Sequence, residues 1–139
     1  MKLIFTTALL AFASTGALAE DQSSDDVHWS IVMSINEGME DNVVPLLTRM
    51  SDATMTNEPD ALIYEYMRSG DAVHIYERYA NNAAAMVHMG NFGSNFADDF
   101  FATFTVESIA VYGPAEDDLK EVFADAPAVY LEKIAGFAR

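Results

Sequence analysis

Residues 58–104 read EPDALIYEYMRSGDAVHIYERYANNAAAMVHMGNFGSNFADDFFATF, and this stretch decides the fold. Side chains alternate in character on both sides of Ser69-Gly70, the period of two that a strand with one buried face requires. If Ser69-Gly70 forms a two-residue hairpin loop, Arg68 faces Asp71, and the register follows. Tyr66 then lies opposite Val73, Tyr64 opposite Ile75 and Leu62 opposite Glu77. The other face pairs Glu65 with His74 and Ile63 with Tyr76. The first face is the more apolar and is expected to pack on helices, with Glu77 as its charged member away from the turn. After the hairpin the period changes. Asn81 or Asn82 is placed to cap a helix beginning at Ala83, with Ala85, Met89, Phe92 and Phe96 as its inward stripe. His88 borders that stripe, four residues before Phe92. Gly90 and Gly93 predict a kink or break in the middle of this helix.

Upstream, Val27–Ile35 alternates with Val27, Trp29, Ile31, Met33 and Ile35 on one face, and Asn36-Glu37-Gly38 ends it. From Met39 to about Thr54, Val43, Leu46, Leu47, Met50 and Ala53 recur at helical spacing. Pro45 belongs most easily in a first turn, which places the helix start near Asn42 or Val43. Asn57-Glu58-Pro59 stops it, because a residue before proline is pushed away from helical angles. Downstream, Thr105–Tyr112 reads as a fourth strand, Gly113-Pro114 ends it, and Glu116–Ala124 reads as a short acidic helix. Pro127 opens an arm that runs to Arg139. The order β-α-β-β-α-β is an α+β, ferredoxin-like pattern. It spans residues 27–113, with a C-terminal extension over 114–139. Helices on one face of such a sheet leave Val32, Ile63 and Tyr76 on the other in need of cover, which predicts a homodimer. The C-terminal arm, with little core of its own, is expected to lie across a neighbouring surface.

Residues 1–19 read as a secretory signal: Lys2, then the apolar run Leu3–Ala13, then Ala17-Leu18-Ala19 before Glu20. The apolar run is too short to span a bilayer. A periplasmic or secreted protein is therefore expected, with a loose acidic leader over 20–26. The remaining chain suffices for one domain, and a composition 51% hydrophobic and 12% aromatic supplies a core for it. The formal charge is -15, and loss of Lys2 with no acid would take it to -16. A surface so acidic repels nucleic acid and anionic membranes, so neither is expected as a partner once the signal is removed. There are no cysteines, so thiolate metal sites and thiol catalysis are excluded. His28 and His74 fall on antiparallel neighbouring strands but at opposite ends, and no ligand spacing such as H-x-x-x-H occurs; no metal is expected.

The segments LIYEY (62–66), VHIYERYANNAAAMVH (73–88) and NFGSNF (91–96) resemble the antibiotic biosynthesis monooxygenase superfamily, which includes quinol monooxygenase-like proteins. The resemblance runs over Val27 to Tyr112. It departs from many members after His88, where MGNFGSNF stands in place of an SPHF-like segment with a second histidine. It implies a dimeric α/β barrel, in which the ferredoxin-like sheet of one subunit pairs with that of its partner. It also implies cofactor-free oxygenation of a small aromatic, quinol-like compound by dioxygen. A non-catalytic exported binding protein for a hydrophobic or haem-like ligand is the alternative.

Two residues are candidates for catalysis. His88 can give or take a proton near neutrality in a pocket between helix and sheet; the plainer reading is a boundary histidine satisfied by a backbone group. A carboxylate on an apolar face needs a partner, and for Glu77 that is either His88 or a tyrosine hydroxyl. In the expected register the two meet, with Glu77 orienting the imidazole and favouring its protonated form. Trp29, Tyr64, Tyr66, Asn91, Phe92 and Phe96 are candidates to line a flat substrate pocket, against a plain reading of the aromatics as core. The acidic runs Asp25-Asp26 and Glu116-Asp117-Asp118 read as solvated surface.

Overall fold

The computed structural model describes residues 25–136, so the expected signal segment, most of the leader and Phe137 lie outside the described residues. Within it the chain runs β1 (Val27–Ile35), α1 (Glu40–Asn57), β2 (Ala61–Ser69), β3 (Ala72–Tyr79), α2 (Asn82–Asn95), α3 (Ala97–Thr103), β4 (Phe104–Tyr112), α4 (Asp117–Val122) and β5 (Ala128–Leu131). The strands form one sheet in the order β2-β3-β1-β4-β5. The first four make the expected ferredoxin-like antiparallel sheet, and β5 adds a parallel strand beside β4.

The hairpin differs from the expected register by one step. Gly70 and Asp71, not Ser69 and Gly70, form the loop; Ser69 pairs with Ala72, Tyr66 with Ile75 and Tyr64 with Glu77. The reason is local: Gly70 adopts φ +61°, and glycine at the first central position is what a type II′ hairpin turn demands. From Ile63 to Ser69 each residue's partner moves by two, so these side chains keep their faces. Leu62 falls in an irregularity between Ala61 and Ile63 and does not face Glu77. His28 pairs with Arg78 and His74 with Val32, four residues apart along β1.

Both long helices also depart from expectation. α1 begins at Glu40, so Pro45 sits inside its second turn; Glu40 and Asp41 stand in the first turn, where the helix dipole favours acids. α2 passes unbroken through Gly90 and Gly93 and ends at Phe96, with φ -132° and ψ -17°, before α3 resumes. Helical glycines cost stability but do not by themselves bend a helix that is packed against a sheet. The cap is Asn81, whose Oδ1 accepts the Ala84 N–H at 2.9 Å.

The core lies between the helices and one sheet face, around Trp29, Met33, Met50, Ile75, Tyr79 and Phe104. Along β1, buried and partly buried residues alternate as expected. Of the C-terminal extension, α4 and Phe123 join this core, whereas Val129, Tyr130, Leu131 and Ile134 in the arm after Pro127 are exposed. Leu119 is fully buried, Phe123 packs edge-on against Trp29 at 5.4 Å between ring centres, and β5 pairs with β4. Asn82 ties α4 to the start of α2: its Nδ2 donates to Asp118 at 2.8 Å and its Oδ1 accepts the Glu116 N–H at 2.9 Å. Asp26 is likewise no solvated residue. It is buried and ion-paired with Arg78 at the start of β1.

Candidate functional site

Glu77 projects from β3 onto the helix-covered face of the sheet, and α2 lays His88 over it. Both are almost wholly enclosed, with Glu77 3% and His88 4% exposed. The imidazole therefore does not sit at the margin of its helix, as the sequence suggests, but in the centre of the molecule. Its Nε2 stands 3.5 Å from Glu77 Oε2. Its Nδ1 is closer, 2.9 Å, to Oε2 of Glu58. The carboxylate that orients the ring is thus Glu58, and Glu77 faces the opposite nitrogen.

Glu58 is the functional residue that sequence reading overlooks. It is the C-cap of α1, its N–H bonded to Thr54 O at 2.9 Å, and Pro59 then turns the chain into β2. An acid at the negative end of a helix dipole is unfavourable unless a positive partner offsets it. That placement is the one signal that points to it. Asn91 from α2 donates to its Oε1 at 3.1 Å, and Tyr79 donates to Glu77 Oε2 at 2.8 Å.

The electrostatics follow from this arrangement. Burial works against the imidazolium of His88, but the hydrogen bond to Glu58 and the charges of Glu77 and Glu58 outweigh it, so its pKa is raised. Burial also works against the Glu58 carboxylate, yet hydrogen bonds from His88 and Asn91 hold its pKa below the ordinary value. Glu77 goes the other way. Burial pushes it up, and the pull of His88, Tyr79 and Trp29 does not restore it. Burial, and next the charge of Glu77, drives the hydroxyls of Tyr64 and Tyr79 upward, so both stay protonated donors.

Two cavities meet at His88. The first, about 580 Å³, lies against the sheet and is walled by Trp29, Ile31, Tyr64, Phe92, Phe100, Phe101 and Phe123, with Glu77 and His88 at one side. Phe100 holds this wall together: Phe92, Phe101 and Phe104 pack around it at 5.1, 5.3 and 5.3 Å between ring centres. The second cavity, about 600 Å³, opens between α1 and α2 and is lined by Thr54, Asn57, Glu58, Asn91, Asn95 and Phe96 among others. Met50, Tyr64, His88 and Phe92 line both. Of the expected pocket residues, Trp29, Tyr64 and Phe92 face the apolar cavity, whereas Asn91 and Phe96 face only the second. Tyr66 reaches neither. It packs edge-on against Tyr64 at 5.2 Å and lines a separate depression with Val43, Leu47 and Arg68. The walls contributed by α3 and α4 are absent from the sequence-based list. Among the described residues, no group of three His, Asp or Glu is placed to hold a metal ion.

No protein-family model matches the chain, and no curated protein matches it. Solved structures do. MupZ from Pseudomonas fluorescens superposes with a TM-score of 0.72 at 21% identity, over 82% of this chain and 94% of that one. A protein assigned to the antibiotic biosynthesis monooxygenases from Bacteroides thetaiotaomicron gives 0.55 at 15% identity, over 68% and 92%. SnoaB from Streptomyces nogalater, described as a cofactor-independent oxygenase, gives 0.55 at 12%, over 66% and 95%. The chain has the antibiotic biosynthesis monooxygenase-like fold, α+β and ferredoxin-like, as the sequence resemblance implies.

Proposed function

We propose that the protein is a cofactor-free monooxygenase that oxidises a small aromatic, quinol-like compound with dioxygen. The observation that carries this reading is the position of His88, whose Nε2 is held at the wall of a large, aromatic-lined cavity by a carboxylate on Nδ1. An ionised Glu58 accepts the Nδ1 proton of His88, which leaves Nε2 of the neutral ring as the base. The two carboxylates strengthen that base. The substrate's O–H proton passes to Nε2, and the oxygen keeps the electron pair. The resulting imidazolium stands beside the anion and steadies it in a cavity with few polar groups. The anion gives an electron to dioxygen, the two radicals join as a peroxide, and loss of water leaves a new carbonyl. The substrate supplies all four electrons. Support also comes from the fold shared with SnoaB, named as a cofactor-independent oxygenase.

Oxygen uptake by the purified protein, offered hydroquinones and anthrones, tests the reading. Uptake is expected in the wild type, with a loss on the order of 10²–10⁴-fold in His88→Gln, the range for removal of a positioned acid or base. Binding without uptake would replace it with the second reading, a carrier of a hydrophobic ligand, which the same apolar cavity supports.

The reading includes two further elements. Residues 1–19 are taken as a cleaved secretory signal, so the exported protein should begin at Glu20 on N-terminal sequencing. Among the described residues no helix covers the sheet face that carries Val32, Ile63 and Tyr76, and pairing of this face with a second copy would bury it. Light scattering at micromolar concentration is expected to give twice the monomer mass, and a monomer would remove the dimer from the reading.

A further inference from the structure

The proposed base raises a problem of proton traffic. A substrate in the apolar cavity blocks that side of His88, so a proton taken at Nε2 cannot leave the way it came. Glu77, on the same side, is enclosed by the sheet. The other ring nitrogen offers a way out. Nδ1 is 2.9 Å from Glu58, and Glu58 lines the second cavity. That cavity is lined by the polar residues Thr54, Asn57, Asn91 and Asn95, and Asn95 is exposed, so it suits water.

We propose that Glu58 and the second cavity form the outlet through which protons from the substrate reach solvent, with His88 as the relay between two separately lined chambers. The inference rests on the proposed role of His88. As the substrate O–H breaks, its proton bonds to Nε2; the Nδ1–H bond breaks and its proton bonds to Glu58 Oε2; the carboxylic acid then gives that proton to water in the second cavity. The ring ends neutral with its proton on the cavity side, and Glu58 ends ionised. Once the product has left and water refills the apolar cavity, Nε2 gives its proton to that water and Nδ1 takes one from solvent through Glu58, which restores the starting tautomer. The other groups facing the ring fit a relay. Tyr64 and Tyr79 keep their protons, and Asn91 fixes the Glu58 carboxylate without being able to accept a proton itself. Glu58 is thus a positioning and relay residue, not a group that touches substrate.

The test uses 4-nitrophenol, whose ionised form is coloured, as a probe that binds without reacting with oxygen. In the wild type the bound probe is expected to ionise, and after a pH jump its colour should re-equilibrate quickly. In Glu58→Gln, which keeps the shape and can still accept the Nδ1 hydrogen bond, binding should stay within about threefold while re-equilibration slows at least about tenfold, a modest share of what a positioned proton acceptor contributes. Formate, small enough to enter the second cavity, should restore the rate in proportion to its concentration. Asn95→Trp, which plugs the mouth of that cavity without touching the pair, should slow the same step, so the proposal remains testable if Glu58→Gln fails to fold. A wild type that binds the probe but leaves it un-ionised would overturn the role given to His88. Normal ionisation with an unchanged rate in both variants would overturn the outlet alone.

Discussion

Glu58 and Glu77 approach one imidazole from opposite sides, and their surroundings drive them to opposite behaviour. Glu77 stands on a strand, facing an apolar cavity, and burial raises its pKa. Glu58 stands at a helix end beside a polar cavity, where His88 and Asn91 bond both of its oxygens and its pKa is lowered. The same functional group is thus divided into a carboxyl that resists ionisation and a carboxylate that holds charge. Each has two side-chain donors, so what separates them is desolvation: it outweighs the donors at Glu77, enclosed by the sheet, and is outweighed by them at Glu58, beside the second cavity.

The largest effect should come from removing the group they share. His88→Ala leaves two buried carboxylates with no positive partner and opens a void between the cavities. A loss of roughly 3–5 kcal/mol in urea unfolding is expected, as for breaking a buried pair. A loss below about 1 kcal/mol would mean that the pair is not coupled as described.

The two carboxylates should then respond with different signs. Glu58→Gln removes a charge that the fold stabilises, so a loss of about 1–3 kcal/mol at neutral pH is expected. Glu77→Gln removes a charge that the fold penalises while leaving an acceptor for Tyr79, so it should be near neutral or stabilising. Equal losses from both would break the comparison. The pH dependence sharpens it. The lowered pKa of Glu58 adds stability that is present above the ordinary glutamate value of 4.5 and is lost as pH falls through the folded value. The raised pKa of His88 adds stability that is complete below 6.5 and is lost as pH rises through its folded value. The pair should therefore contribute most between those limits. Glu58→Gln should abolish the acid-side decline that belongs to this pair.

Smaller changes address one side at a time. Asn91→Ala takes one donor from Glu58 and none from Glu77. A loss of about 1–1.5 kcal/mol is expected, and the acid-side decline should begin at a higher pH. Tyr66→Phe is the control. Tyr66 faces neither cavity, so probe binding should be unchanged and stability should move by no more than about 0.5 kcal/mol. A change in binding would place Tyr66 in the site after all.

Legibility in the sequence tracked periodicity. The alternation in β1, β2 and β3 placed Trp29, Tyr64 and Glu77 on one face, and the helical spacing of Ala85, Phe92 and Phe96 put His88 near it. That conclusion survived an incorrect turn, because the slip moved each partner of Ile63 to Ser69 by two, so Tyr64 and Glu77 kept their face. The position of Pro45 and the run through Gly90 and Gly93 were misjudged for a different reason. Propensity is a weak constraint, and packing of the apolar stripes against the sheet overrides it.

The sequence by itself determined the α+β order, the buried face of each strand and the meeting of Glu77 with His88, because these depend on the repeat distances of strand and helix. Only the tertiary structure decided that Glu58 holds the other nitrogen of that ring, that α4 and the turn after it close the apolar cavity, and that His88 divides two chambers. Glu58 lies between a helix and a strand, where no period applies, and it reaches His88 across 30 residues of chain. Contacts of that kind are set by how the elements dock, and docking depends on packing the whole core at once.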